Sequence, residues 1–160
     1  MIFSILKNWF GGNMPEGLKP LPEESTRQLA DVVANYGNPV EALSAALGIE
    51  FAEFSTSMEF GWLTPVFSTL ETAGIPGHWS AVGNYLAGEF EKLRDGACKA
   101  WSLDADVTTF YIVLEREDFD TLSIWICSAD KVVMEKLNAA ADAQIEICEA
   151  ESIGDGMINN

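Results

Sequence analysis

Basic residues are scarce in this chain: nine Lys and Arg stand against 25 Asp and Glu in 160 residues, a formal charge of −16 with the single histidine neutral. Nucleic-acid binding runs on Lys and Arg neutralising phosphates, so this balance argues against direct contact with DNA or RNA. Only Arg27, Arg94 and Arg116 are available to fork onto an anionic substrate. Cysteine is sparse and odd in number. Cys98, Cys127 and Cys148 show neither a CxxC spacing nor a Cys–His pair, which opposes a zinc site or a disulfide framework and suits a reducing cytoplasm. No window approaches the run of about 18 apolar residues that a membrane span needs. A signal peptide is not expected either, because Lys7 lies inside the apolar stretch Met1–Phe10 and no small-residue cleavage site follows. Phosphate-cradling and nucleophile-elbow motifs are absent, with no GxxxxGK[ST], no GxGxxG and no GxSxG. These absences predict a cytoplasmic protein without a membrane span, a cofactor or a recognisable catalytic motif.

What remains is a chain that is 48% hydrophobic and 21% charged, enough to bury one core and thus a single domain over 1–160. Ile2, Ile5, Leu6, Trp9 and Phe10 share a helical face ended by Gly11 and Gly12. That segment is expected to pack on the protein's own body or on a second copy, since a membrane-surface helix would carry basic residues. A connector with Pro15, Pro20 and Pro22 follows to residue 22.

From 23 to 95 the apolar spacing predicts five short helices stopped by glycines. The first carries Leu29, Val32, Val33 and Tyr36 inward. Asn38-Pro39 caps the second, with Glu41 three residues past the cap. Phe51, Phe54 and Met58 mark a third over 50–60, Val66, Phe67 and Leu70 a fourth after Thr64-Pro65, and Trp79, Val82, Leu86, Phe90 and Leu93 the longest. Past Gly96 the period changes to two. Strands are predicted at 98–103, 108–115 and 121–127, then a helix capped by Ser128 and running through Ala139–Ala141, then a closing strand at 144–149 and a fraying tail over 151–160. The fold class predicted is α+β: an N-terminal helical layer on a mainly antiparallel sheet of three to four strands, β-β-β-α-β in the sheet part 96–150.

Charge is unevenly spread. Eight acids and no base lie between Gln28 and Glu91, and the chain from Trp101 onward carries thirteen acids and three bases. The local peaks are Glu115, Glu117, Asp118 and Asp120 around the hairpin turn, and Glu146, Glu149, Glu151 and Asp155 near the C-terminus. Crowded like charges destabilise a small fold, a cost that a cationic partner offsets. Metal is a poor alternative: Asp104-Ala-Asp106 and Asp118-Phe-Asp120 begin like calcium loops, but Thr109 and Ser123 occupy the position that requires glycine. His78, the only histidine, opens the longest helix beside Trp79, and with a cysteine it forms the sole candidate pair for an enzyme. Among the five tryptophans, Trp62 and Trp79 fall at core positions. Trp101 and Trp125 fall on strands where each could share a sheet face with aromatic neighbours; core burial is the expectation for each, and Trp125 is the best candidate for an exposed anchor.

In size, acidity and absence of catalytic motifs the chain resembles bacterial immunity proteins, and no residue roles carry over from so general a likeness. The expectation is therefore a small acidic inhibitor of a basic protein, such as a cationic nuclease toxin, engaging it through Glu115, Glu117, Asp118, Asp120, Trp125, Glu146, Glu149 and Glu151. The alternative is an acidic secretion or assembly chaperone that dimerises. A small enzyme using His78 or a cysteine ranks third.

Overall fold

The computed structural model describes the backbone of residues 14–158 and side chains through residue 152; the amphipathic segment Met1–Phe10 lies outside the described residues. Gly17, at φ +85°, turns the chain so that its carbonyl accepts from the Asp104 N–H at 2.9 Å. A Cβ there would strike the Asp104 carbonyl oxygen. That turn starts β1 (Leu18–Pro20), followed by α1 (Glu23–Ala34), α2 (Pro39–Leu47), β2 (Ala52–Glu59), a 3-10 turn (Phe60–Trp62), α3 (Leu63–Thr72), α4 (Trp79–Lys92), β3 (Cys98–Asp104), β4 (Thr109–Arg116), β5 (Thr121–Ser128) and α5 (Lys131–Ile158). The five strands form one antiparallel sheet in the order β1-β3-β4-β5-β2.

The α+β class and the central β3-β4-β5 meander match the expectation, but the sheet has five strands rather than three to four, because β1 forms within the predicted connector and pairs with β3, and β2 replaces a predicted helix. Residues 52–59 form a strand, not the helix predicted over 50–60. Phe54 and Met58 are four apart, a spacing that both a period of 2 and a period of 3.6 satisfy. The intervening Ser55-Thr56-Ser57 is a weak helix former, and β5 offers an uninterrupted register from Ala52↔Ser128 to Glu59↔Thr121. Residues 144–149 belong to α5, not to a strand. Met134, Leu137, Ala141 and Cys148 are buried at helical spacing, and the alanines leading in give the helix no reason to stop. The tail is therefore helical through Ile158. Asp130, not Ser128, caps this helix, accepting from the Val133 N–H at 3.1 Å. Ser128 instead accepts from the Asp130 N–H and bonds Thr108.

The helices also form two layers rather than one. Even-numbered residues of β2, β4 and β5, with Trp101 and Leu103 of β3, face α3, α4 and α5 and build the main core around Phe67, Trp79, Phe90 and Phe110. Ala100, Val113 and Cys127 point to the opposite face and pack on Leu29, Val40 and Leu43 of α1 and α2. Asn38 caps α2 as expected, accepting from the Val40 N–H at 2.8 Å. Since α1 and α2 cover only part of their face, the β4–β5 end of it stays open. Among the described residues no helix is long and apolar enough to cross a membrane.

Candidate functional site

The open end of that face holds a groove of about 460 Å³ between the C-terminal end of α1 and the β4–β5 hairpin. α1 supplies one wall. The helix stops at Ala34, and the Gly37 N–H closes back on the Val32 carbonyl at 2.8 Å. Tyr36 is thereby placed at φ 60° and is fully exposed at the groove mouth. The sequence had placed Tyr36 inward as the continuation of a helical stripe. It faces outward because the helix ends two residues before it, and a non-glycine residue at positive φ is uncommon enough to mark the position.

The sheet supplies the floor. Strand alternation sets Glu115, Ser123 and Trp125 on one face, with Glu115 opposite Ser123 and Val113 opposite Trp125. Trp125 is half-buried, one side against the small core under α1 and α2 and the other in the groove. It does not share a face with Trp101, which lies fully buried on the far side of the sheet; the register, with Trp101 opposite Ile112 and Ile112 opposite Ile126, separates them. Trp62, expected in the core, is only partly buried in the 3-10 turn.

Glu117 follows the end of β4, and its carboxylate accepts from the Ser57 hydroxyl at 3.0 and 3.1 Å and from the Ser123 hydroxyl. Both serines hold it in place without neutralising it. Glu115 is half-buried beside it, and burial followed by the Glu117 charge pushes its carboxyl above the ordinary carboxylate range. Two carboxylates and two aromatic faces thus line one open groove. An ammonium or guanidinium group fits this chemistry, with the acids as ion-pair acceptors and the rings as cation–π partners.

The remaining candidates lie elsewhere. Asp118 and Asp120 sit in the hairpin turn. Asp118 spends its carboxylate locally, accepting from the Asp120 and Thr121 N–H groups at 2.9 and 2.8 Å, and those bonds hold its pKa below the ordinary value. Glu146, Glu149 and Glu151 are exposed on α5, in the helical layer on the other side of the sheet from the groove. Asp104 and Asp106 belong to the tight β3–β4 turn, closed by the Ala105 N–H on the Thr108 carbonyl at 3.0 Å. Among the described residues no group of three or more His, Cys, Asp or Glu is placed to hold a metal. His78 is exposed at the start of α4 and lines a separate cavity with Glu16, Asp104 and Asp106. Burial pushes the thiols of Cys98 and Cys127 up to about 12, with Glu115 adding to the first and Glu53 to the second. Such thiols stay protonated at neutral pH.

Sequence reasoning missed the residue that ties the hairpin to α4. The Arg116 guanidinium donates to the Phe90 and Leu93 carbonyls, both at 3.1 Å, pairs with Asp95 at 3.3 Å and lies 4.8 Å from the Phe90 ring centroid. One signal for it was available: an arginine at a position that alternation assigns to the core face. No protein-family model matches this chain, and no curated protein and no solved structure matches it either.

Proposed function

We propose that this chain is an acidic binding protein that neutralises a cationic protein partner, acting as an immunity- or antitoxin-type inhibitor of a basic, nuclease-like toxin. The observation that carries the reading is the convergence of Glu115, Glu117, Trp125 and Tyr36 on one solvent-open groove. A nuclease must present Lys or Arg to attract phosphate, and carboxylates offered in the phosphates' place compete for those side chains. Half-buried Trp125 supplies the rigid, partly desolvated aromatic contact typical of residues that dominate binding energy, and exposed Tyr36 adds a second ring at the groove mouth. The raised carboxyl of Glu115 fits the same role, because a partner's cation offsets what holds it up, burial first and then the Glu117 charge.

The test is affinity capture from the native host at about 50 and about 500 mM NaCl, compared between the wild type and a Glu115→Gln/Glu117→Gln double variant. A basic protein should be retained at low salt and released at high salt. The double variant should bind it about tenfold to hundredfold less tightly, the weight of two partly exposed hydrogen bonds at about 0.5–1.5 kcal/mol each. Recovery of neutral or acidic proteins alone, insensitive to salt, rejects the proposal.

The dimeric chaperone reading has its own support in a groove of about 360 Å³ between α1 and α2, lined by Leu29, Val32, Leu43 and Leu47 among others and suited to an apolar segment. Light scattering separates the two readings: a monomer supports the inhibitor and an obligate dimer supports the chaperone.

A further inference from the structure

The two edges of the sheet are built differently. β1 is three residues long and contains Lys19 and Pro20, which are devices that keep a foreign strand from pairing. β2 has eight residues, pairs continuously with β5 without a bulge and contains neither Pro nor Lys. Its outward side is identified by one bond: the Asn138 side-chain amide donates to the Glu53 carbonyl at 3.2 Å. Glu53 therefore turns its backbone polar groups away from β5, and by strand alternation so do Ser55, Ser57 and Glu59. Among the described residues no backbone group pairs with the outward side of Ser55 or Ser57. Only the Thr56 hydroxyl, at 3.3 Å, reaches the Ser57 carbonyl. Both serine side chains are small and exposed, so another backbone can approach closely.

This edge is continuous with the acidic groove. Ser55 is the cross-strand neighbour of Trp125, and the Ser57 hydroxyl donates to Glu117. Glu53 and Glu59 project on the same face as Glu115, and Lys131, beyond the Ala52 end of β2, lies opposite Glu50 at 3.8 Å. A second copy of the chain would bring another −16 against these carboxylates. The occupant favoured by charge is basic.

We propose that the outer edge of β2, from Ser55 to Glu59, receives an extended basic segment of the partner as a sixth strand, with backbone hydrogen bonds aligning it and Glu59 and Glu117 taking Lys or Arg side chains from its alternate positions. The inference rests on the cationic-partner reading above and specifies how that partner is held.

The experiment uses the full chain and two probes: an end-blocked peptide of alternating lysine and valine, and the same peptide N-methylated at alternate backbone amides. The charge is identical, but the second cannot complete the ladder. Binding of the first should slow amide exchange at Ser55, Ser57 and Glu59. N-methylation should weaken binding about tenfold, the weight of one to two hydrogen bonds. Ser55→Pro removes an outward N–H that β5 does not use, so it should keep the fold and show the same loss; if it unfolds, the peptide pair on the wild type still decides. Equal affinity for both peptides, or no binding of either at low salt, overturns the edge inference. So does protection of Ser55 and Ser57 in the free protein, whether from another part of the chain or from a dimer seen by light scattering. Equal affinity for both peptides that falls together in Glu115→Gln/Glu117→Gln overturns the edge alone and leaves the acidic-groove function standing. Failure of basic proteins to bind at all overturns that function.

Discussion

Single side chains on either side of the sheet illustrate two uses of a carboxylate. Glu89 on α4 is only 7% exposed, and it accepts from the Lys99 ammonium at 2.9 Å and from the Tyr85 hydroxyl at 2.8 Å, with Lys92 at 3.5 Å. Burial alone would raise its pKa, but the bonds from Lys99 and Tyr85 and the charges of Lys99 and Lys92 outweigh burial and hold it below the ordinary value. A depressed carboxylate stabilises the fold fully above its unfolded pKa of about 4.3, and that contribution disappears as pH falls through the lower folded value. Glu89→Gln should therefore cost about 1.5–3 kcal/mol at neutral pH. The gap from the wild type in urea unfolding should close on acidification; a gap independent of pH contradicts this account. The same network sets Tyr85 at about 12, through burial first and then its bond to Glu89. Glu115 is the opposite case, because its pKa is raised and its charged form weakens the isolated fold. None of these differences is visible in a string of acidic letters, since each depends on which neighbours the tertiary fold brings to the group.

At the scale of elements, close approach decides whether helices seat on the sheet. Gly83 on α4 faces Phe67 on α3, and a Cβ at that position would lie 2.6 Å from the Phe67 Cβ. Phe67 is fully buried and stacks edge-on to Trp79 at 5.7 Å, so it has nowhere to move. Gly83→Ala gains helix propensity of about 0.8–1 kcal/mol, but overpacking costs about 1–3 kcal/mol. The expected net effect is a lower urea midpoint with an unchanged m-value. A midpoint above the wild type would show that α3 and α4 separate without cost. The β4–β5 hairpin was legible because Thr109–Leu114 and Thr121–Cys127 are rich in β-branched and aromatic residues and flank a polar link. β2 was not, because its two buried residues are spaced ambiguously and its strand identity comes from β5. α5 was misread after residue 143, where Ile145 and Ile147 alternate with polar residues although Ile147 is 50% exposed.

For the whole molecule, charge links stability to binding. At about 10 mM salt the Debye length is about 30 Å, so acids on both helical layers feel one another; at about 150 mM it is about 8 Å. Added NaCl should therefore raise the melting temperature of the free protein while weakening its complex with a basic partner, two slopes of opposite sign. Glu115→Gln should shift both in the same senses: a free protein more stable at neutral pH, because a carboxylate with a raised folded pKa costs stability as pH rises, and a looser complex. Parallel slopes would separate the acidity from any binding role.

The sequence by itself determined the composition-level properties, namely the strong negative charge and the scarcity of bases, and it determined the helices and strands whose periodicity admits a single reading, such as α4 and the β4–β5 hairpin. Only the tertiary structure decided that the helices cover both faces of the sheet, that Glu115 and Glu117 share a groove with Tyr36 and Trp125 while Glu146, Glu149 and Glu151 lie across the sheet, and that β2 is a long edge strand. The physical reason is that local periodicity fixes which side of an element is apolar, whereas strand order and register fix which elements meet. A binding groove is made of residues from elements that meet.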